Sequence, residues 1–221
     1  MVLFDFHIHS EWSDGDNSLE EIMKAAKDKG LEIIGINDHL SSIKATIPLE
    51  SEALQDYLLD IREISQKLGI KTLAGLEIDI FPPDQLDIVV LNKFDYLIFE
   101  NIMGLPKIKA ICEFSKKIKG PLVGLAHTEL RYPDPIFRKI IKLLEDNKIF
   151  IELNANYTQN YEASQDLFKL IAESKIGLSI GSDSHSIKTL GLFNYAIEFL
   201  DNFDINLEER LVLLKNFKSG L

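Results

Sequence analysis

The stretch VLFDFHIHS, residues 2–10, joins an apolar run to two histidines spaced one residue apart. Val2–Phe6 has the length and composition of a buried β-strand. A strand alternates its side chains with a period of two, so His7 and His9 point to the same side and can grip one ion. Six further apolar runs end in similar chemistry: Glu32–Ile36 before Asp38 and His39, Lys71–Ile78 with Glu77 and Asp79, Asp95–Phe99 before Glu100 and Asn101, Leu122–Ala126 before His127, Phe150–Leu153 with Glu152 and Asn154, and Gly177–Ile180 before Asp183 and His185. All five histidines of the chain thus sit at predicted strand ends beside a carboxylate or another histidine, His127 having Glu129 two residues on. Mixed imidazole and carboxylate donors suit zinc, manganese or iron, and donors at separate strand ends imply a cluster of ions.

Amphipathic segments separate the strands. Leu19–Lys29 opens with Ser18 as N-cap and Glu21 three residues on, Glu52–Leu68 closes at Gly69, and Ile108–Ile118, Ile136–Asn147, Ser164–Glu173 and a last one near Leu207–Phe217 follow. Such alternation predicts parallel strands joined by crossover helices. The strands are apolar along most of their length, as expected when both faces are covered. Functional groups at the carboxyl ends of seven successive strands favour a closed barrel, since a doubly wound open sheet gathers its site at one switch point. With 221 residues the chain is short for an eight-fold barrel of roughly 250. The expected fold is α/β, a distorted TIM-like (β/α)7 barrel forming a single domain over residues 1–221.

The formal charge of −11, from 24 basic and 35 acidic residues, argues against a phosphate-backbone footprint and so against stable nucleic-acid binding. Part of that charge would be cancelled by bound cations. Cys112 is the only cysteine, which excludes an internal disulfide, and its place among Ile108, Ile111 and Phe114 reads as core. No secretory leader is recognisable and no apolar run approaches about 18 residues, so no membrane association and a cytoplasmic location are expected. The oligomeric state is not legible.

The motifs DFHIHSEWSDG (Asp5–Gly15), NDH (Asn37–His39), GLEID (Gly75–Asp79), AHTE (Ala126–Glu129) and GSDSH (Gly181–His185) together resemble the PHP family, the polymerase and histidinol phosphatase domain. They occur in the family's order and span residues 5–185. The resemblance implies a distorted seven-stranded barrel that holds two or three divalent ions, Zn, Mn or Fe, and hydrolyses phosphate esters. It places His7, His9, Glu77 and Asp183 around one ion and Asp14, His39 and His185 around a second, with Glu77 bridging to a third that His127 also binds. Asp14 lies in SDGDNS, which also reads as a polar turn before a capped helix.

One departure stands out. Family phosphatases commonly present a histidine to the third ion after a strand such as FDYLIF (Phe94–Phe99), yet no histidine lies between His39 and His127. Glu100 has the side parity of that position and is the candidate ligand, with Asn101 the neighbouring alternative. Asp38 either orients His39 or serves strand-end turn chemistry, and Asp38, His127 or a water on the third ion are the candidate proton donors to a leaving group. Glu152 and Asn154 support ligands or line the pocket. Arg131 and Lys188 are positioned either to meet a substrate phosphate or to remain solvated loop cations. Trp12 either stacks on a substrate or covers the mouth, and loops 40–51 and 80–94 carry the specificity.

Clustered ions would lower the pKa of a shared water to give a hydroxide nucleophile and would neutralise phosphoryl oxygens, so no protein nucleophile is required. No Gly-rich phosphate loop or GxSxG elbow is present. The expected activity is hydrolysis of a small phosphate monoester, in the manner of a histidinol phosphate phosphatase. A nuclease or phosphodiesterase acting on nucleotides or single-stranded DNA, a protein-tyrosine phosphatase and a non-catalytic metal-binding module are the alternatives.

Overall fold

In a computed structural model, which describes residues 3–40, 51–127, 132–157, 165–192 and 194–219, seven strands follow one another in chain order around a nearly closed barrel. They are Phe4–Ile8, Ile33–Ile36, Lys71–Ile78, Tyr96–Phe99, Leu122–Leu125, Phe150–Asn154 and Leu178–Gly181, and every pairing is parallel. A two-residue strand, His39–Leu40, continues the edge of Ile33–Ile36 along Lys71–Ile78 and sets His39 opposite Glu77. The first and last strands meet through a parallel bridge between Ile8 and Ser184, where the His9 amide donates to Ser184 O (2.9 Å) and the Ser184 amide to His7 O (3.3 Å). The ring therefore joins at its carboxyl mouth, through the motif residues themselves.

The expected strands and most helices stand close to where the sequence puts them. The first strand begins two residues later than expected, which brings His7 inside it. The helix around Cys112 runs Leu105–Ser115 rather than Ile108–Ile118, because Gly104 at φ 89° breaks the preceding chain and Pro106 suits the first turn. The last helix is two, Leu207–Arg210 and Val212–Ser219, since Leu211 leaves the helical conformation to bridge Leu178. The Arg210 guanidinium fixes that break by donating to the carbonyls of Ile171, Ser174 and Ile176 at 2.7–3.1 Å. The short helices Ile88–Leu91 and Asn194–Asp201 lacked a long enough period to be read. Cys112 is buried, and burial pushes its thiol up to about 11, which agrees with a packing role.

Both faces of these strands are buried, and one large ring packs against two strand glycines. Tyr96 is fully buried and its hydroxyl donates to Phe6 O at 2.8 Å. Gly35 and Gly75, on neighbouring strands, leave the space it occupies: a Cβ on Gly75 would lie 2.7 Å from Tyr96 Cζ. Gly75→Ala should therefore destabilise the protein by about 1–3 kcal/mol through overpacking. Urea unfolding measures this, and a loss within experimental error would show that the interior is loosely filled.

Candidate metal centre

Asp5 shares the parity of His7 and His9 and supplies the foundation of the site. Its fully buried carboxylate accepts from the Ser182 amide (2.9 Å) and hydroxyl (2.6 Å) and from the Gly191 amide (2.8 Å), which ties the first strand to the segment after the last. Burial raises the Asp5 pKa, while these bonds from Ser182 and Gly191 oppose the rise. Above Asp5, His7 Nδ1 lies 2.6 Å from Glu152 Oε1, and Glu152 Oε2 accepts from the His127 amide (3.0 Å) and from Asn154 Nδ2 (3.3 Å). Gly181 permits this approach, since a Cβ there would overlap the His7 side chain and come within 2.9 Å of Glu152 Oε1.

With Nδ1 so held, His7 turns Nε2 inward. It lies 3.0 Å from His9 Nε2 and 3.4 Å from Glu77 Oε2, and Asp183 Oδ1 is 3.1 Å from His9 Nε2. A second set adjoins the first. Asp14 Oδ1 is 3.3 Å from His185 Nε2 and 3.6 Å from His9 Nδ1, and its Oδ2 is 3.4 Å from His39 Nε2. His185 Nδ1 faces Asp183 O at 3.0 Å. Glu77 joins the rest: Oε2 is 3.2 Å from His39 Nδ1, and Oε1 is 2.8 Å from His127 Nε2. Glu100 Oε1 also lies 3.2 Å from His39 Nδ1.

The groups fit divalent cations. The Nε2 atoms of His7 and His9 face each other across a gap that one ring proton can bridge at best, and His9 Nδ1 is buried without a hydrogen-bond partner. The carboxylates of Glu77 and Asp183 have imidazoles as their ion-pair partners. For Glu77 and Asp183, burial would raise the pKa, but His7 and the neighbouring imidazoles outweigh it and hold both carboxyls well below the ordinary range. Burial would likewise lower His7 and His127, yet Glu152 and Glu77 around the first, and Glu77 beside the second, hold these imidazoles above the ordinary value. His9 is lowered, by burial first and then by the charge of His7.

Asp14 thus stands among three imidazoles rather than in a free turn. The loop that carries it is moored by Asp38, whose oxygens accept from the Ser10 amide (2.7 Å), the Ser10 hydroxyl (2.6 Å) and the Ser13 hydroxyl (2.5 Å). Of the roles expected for Asp38, these bonds agree with strand-end turn chemistry, since its oxygens are engaged by the loop. Asn101 is exposed, at φ 56°, and donates from Nδ2 to Glu100 Oε2 (3.2 Å). Trp12 packs edge-on against the buried Tyr57, with ring centroids 5.6 Å apart. Lys188 is exposed and has no described contact with the donor set, while Arg131, Glu129 and residues 41–50 of the first specificity loop lie outside the described residues. His127 and Asp183, at φ 25° and 53°, hold the left-handed backbone that L residues seldom adopt, a form of local strain that clusters at functional sites. The support by Asp5 was missed, although its parity with His7 and His9 was a usable signal.

A parallel barrel that gathers these donors at its carboxyl mouth, with Cys112 buried in the core, defines a metal-dependent hydrolase. The PHP domain family matches residues 5–201, and the chain belongs to that family. It is 28% identical over 199 residues to the DNA polymerase/3'-5' exonuclease PolX of Bacillus subtilis, which covers 84% of this chain and 35% of that protein. It is 27% identical to the probable phosphatase TTE1963 of Caldanaerobacter subterraneus, over 96% of this chain and 87% of the other. The histidinol phosphate phosphatase of Lactococcus lactis, solved with zinc, L-histidinol and phosphate, superposes with a TM-score of 0.69 at 18% identity, covering 93% of this chain and 95% of that one. That likeness shows the shared fold. No helix among the described residues is long and apolar enough to cross a membrane.

Two outcomes follow from this geometry. Glu152→Gln weakens the hold on His7 Nδ1 and should lower metal affinity by about 10- to 100-fold, read by isothermal titration; unchanged affinity would show that Glu152 does not orient the ligand. Because His7 and His127 are raised, protons compete with cations above the ordinary imidazole range, so metal binding should release protons and tighten as the pH rises. Calorimetry in buffers of different ionisation enthalpy measures the release, and a pH-independent affinity would contradict it.

Proposed function

We propose that this chain hydrolyses a small phosphate monoester, with two divalent ions held by His7, His9, Glu77 and Asp183 and by Asp14, His39 and His185. The observation that carries the reading is the convergence of these seven side chains on one barrel mouth, where His9 is shared between the set of His7 and Asp183 and the set of Asp14, His39 and His185, and Glu77 joins them through His39. When bound, such ions make water nucleophilic at neutral pH and neutralise phosphoryl oxygens. The residues hold the rest of the geometry: Glu152 fixes the His7 ring, Asp38 fixes the Asp14 loop, and Trp12 packs against Tyr57. His127 Nε2, 2.8 Å from Glu77 Oε1 and partly open to solvent, is the proton donor to the leaving oxygen. Arg131 is the remaining candidate for a phosphate contact, and Lys188 stands solvated.

Histidinol phosphate is one substrate candidate among sugar phosphates and nucleotides, and probable phosphatases among the relatives support monoester chemistry. A second reading has a specific observation behind it. The PolX relative is named an exonuclease, and the chain aligns with about a third of its length, so a phosphodiesterase acting on single-stranded DNA is the alternative. The net charge of −11 weighs against it, because strand binding draws on clustered Lys and Arg.

Manganese-loaded protein should turn over p-nitrophenyl phosphate and at least one phosphorylated metabolite while leaving short single-stranded DNA intact. His39→Ala should lose one metal equivalent together with turnover. Digestion of DNA with inert monoesters would promote the exonuclease reading, and a full metal complement without turnover of any ester would leave a binding module.

A further inference from the structure

Among the described residues, the large apolar side chains left exposed include two aromatic rings, Tyr157 and Tyr195. Tyr195 packs on Phe199 of its own helix, Asn194–Asp201. Tyr157, 37% exposed, instead stacks on His127 at the mouth that gathers the metal donors, with ring centroids 4.7 Å apart and planes 27° from parallel. It ends the short turn Ala155–Tyr157, which follows the strand Phe150–Asn154. That turn is anchored: the Asn156 amide donates to Asn154 Oδ1 and Asn156 Nδ2 donates to Asp183 O, both at 2.9 Å. Asn154 in turn donates to Glu152 Oε2, the oxygen that accepts from the His127 amide. Tyr157 and His127 are therefore held together by one chain of hydrogen bonds and by the contact of their rings.

A ring that is exposed yet already fixed gives contact area to a ligand and loses little freedom when the ligand binds. Its place decides which part of the ligand it meets. With the phosphoryl group on the ions and His127 Nε2 at the leaving oxygen, the group borne by that oxygen passes beside the ring stacked on His127. We propose that Tyr157 is a specificity-determining residue, one wall of the leaving-group subsite, and that it selects monoesters whose ester oxygen carries a planar ring. Planar rings meet a tyrosine in offset stacks or edge to face, an attraction that open-chain polyols lack. The contact uses the ring and not the phenolic hydroxyl. The inference rests on the phosphoryl position of the proposed function but not on turnover.

The test titrates manganese-loaded protein with phenylphosphonate and with methylphosphonate, which have no ester bond to hydrolyse, and reads both affinities by calorimetry. Wild type should bind the phenyl compound about 10-fold more tightly, the scale of an aromatic contact together with the ring area it covers. Tyr157→Ala should reduce that ratio to about 2-fold or less while methylphosphonate affinity and metal content stay unchanged, and Tyr157→Phe should keep the wild-type ratio. Should Tyr157→Ala not fold, Tyr157→Leu, which fills the space without a planar ring, takes its place with the same expectation. A wild-type protein that binds the two phosphonates alike, or binds neither, overturns the assignment. So does a preference that survives loss of the ring, or an equal loss of both ligands at full metal content, which would show that Tyr157 only shields His127. The expected ratios without hydrolysis of any ester would sink the phosphatase reading and leave Tyr157 as the wall of a binding site.

Discussion

Glu77 is the group on which the mouth of the barrel depends. Its carboxylate is 1% exposed, and its oxygens face His7, His9 and His39 on one side and His127 on the other. A buried carboxylate in that position is stable only while protons or cations offset its charge. The raised pKa of His7 and the depressed pKa of Glu77 are two sides of that requirement. A cluster of divalent ions meets it better than protons do, since each ion brings two charges and accepts several donors at once.

Around this centre, other carboxylates perform mechanical work. Asp5 ties the first strand to Ser182 and Gly191, Glu152 ties His7 to the His127 backbone, and Asp38 ties the Asp14 loop to Ser10 and Ser13. Each spans segments far apart in sequence, so the donors of the cluster are positioned by long-range bonds rather than by their own loops. The barrel ring joins at the same level, where the His7 and His9 backbone pairs with Ser184. The barrel thus closes at the level of the site, beside the left-handed backbone of Asp183.

The fold was legible because its signals are local. Apolar runs of strand length, capped amphipathic helices and polar strand ends predicted seven parallel strands, and Lys71–Ile78 forms over the predicted residues. The boundaries that shifted did so for tertiary reasons: Leu211 breaks its helix to reach Leu178, and Arg210 seals the break. Asp14, by contrast, also read as a turn residue, because nothing in SDGDNS reveals that His9, His39 and His185 surround it.

By itself the sequence determined which residues can share a face, because side-chain alternation with a period of two follows from backbone geometry alone. His7 with His9, and Asp183 with His185, follow from it, as does the inward parity of Glu100. What the sequence left open was where each carboxylate turns. Asp38 turns to the serines of a loop 28 residues earlier, Glu152 to a histidine 145 residues away, and Glu100 to His39 instead of His127. Those choices depend on through-space distances across the closed barrel and on the charge each group meets there, and such distances exist only once the strands have come round to meet.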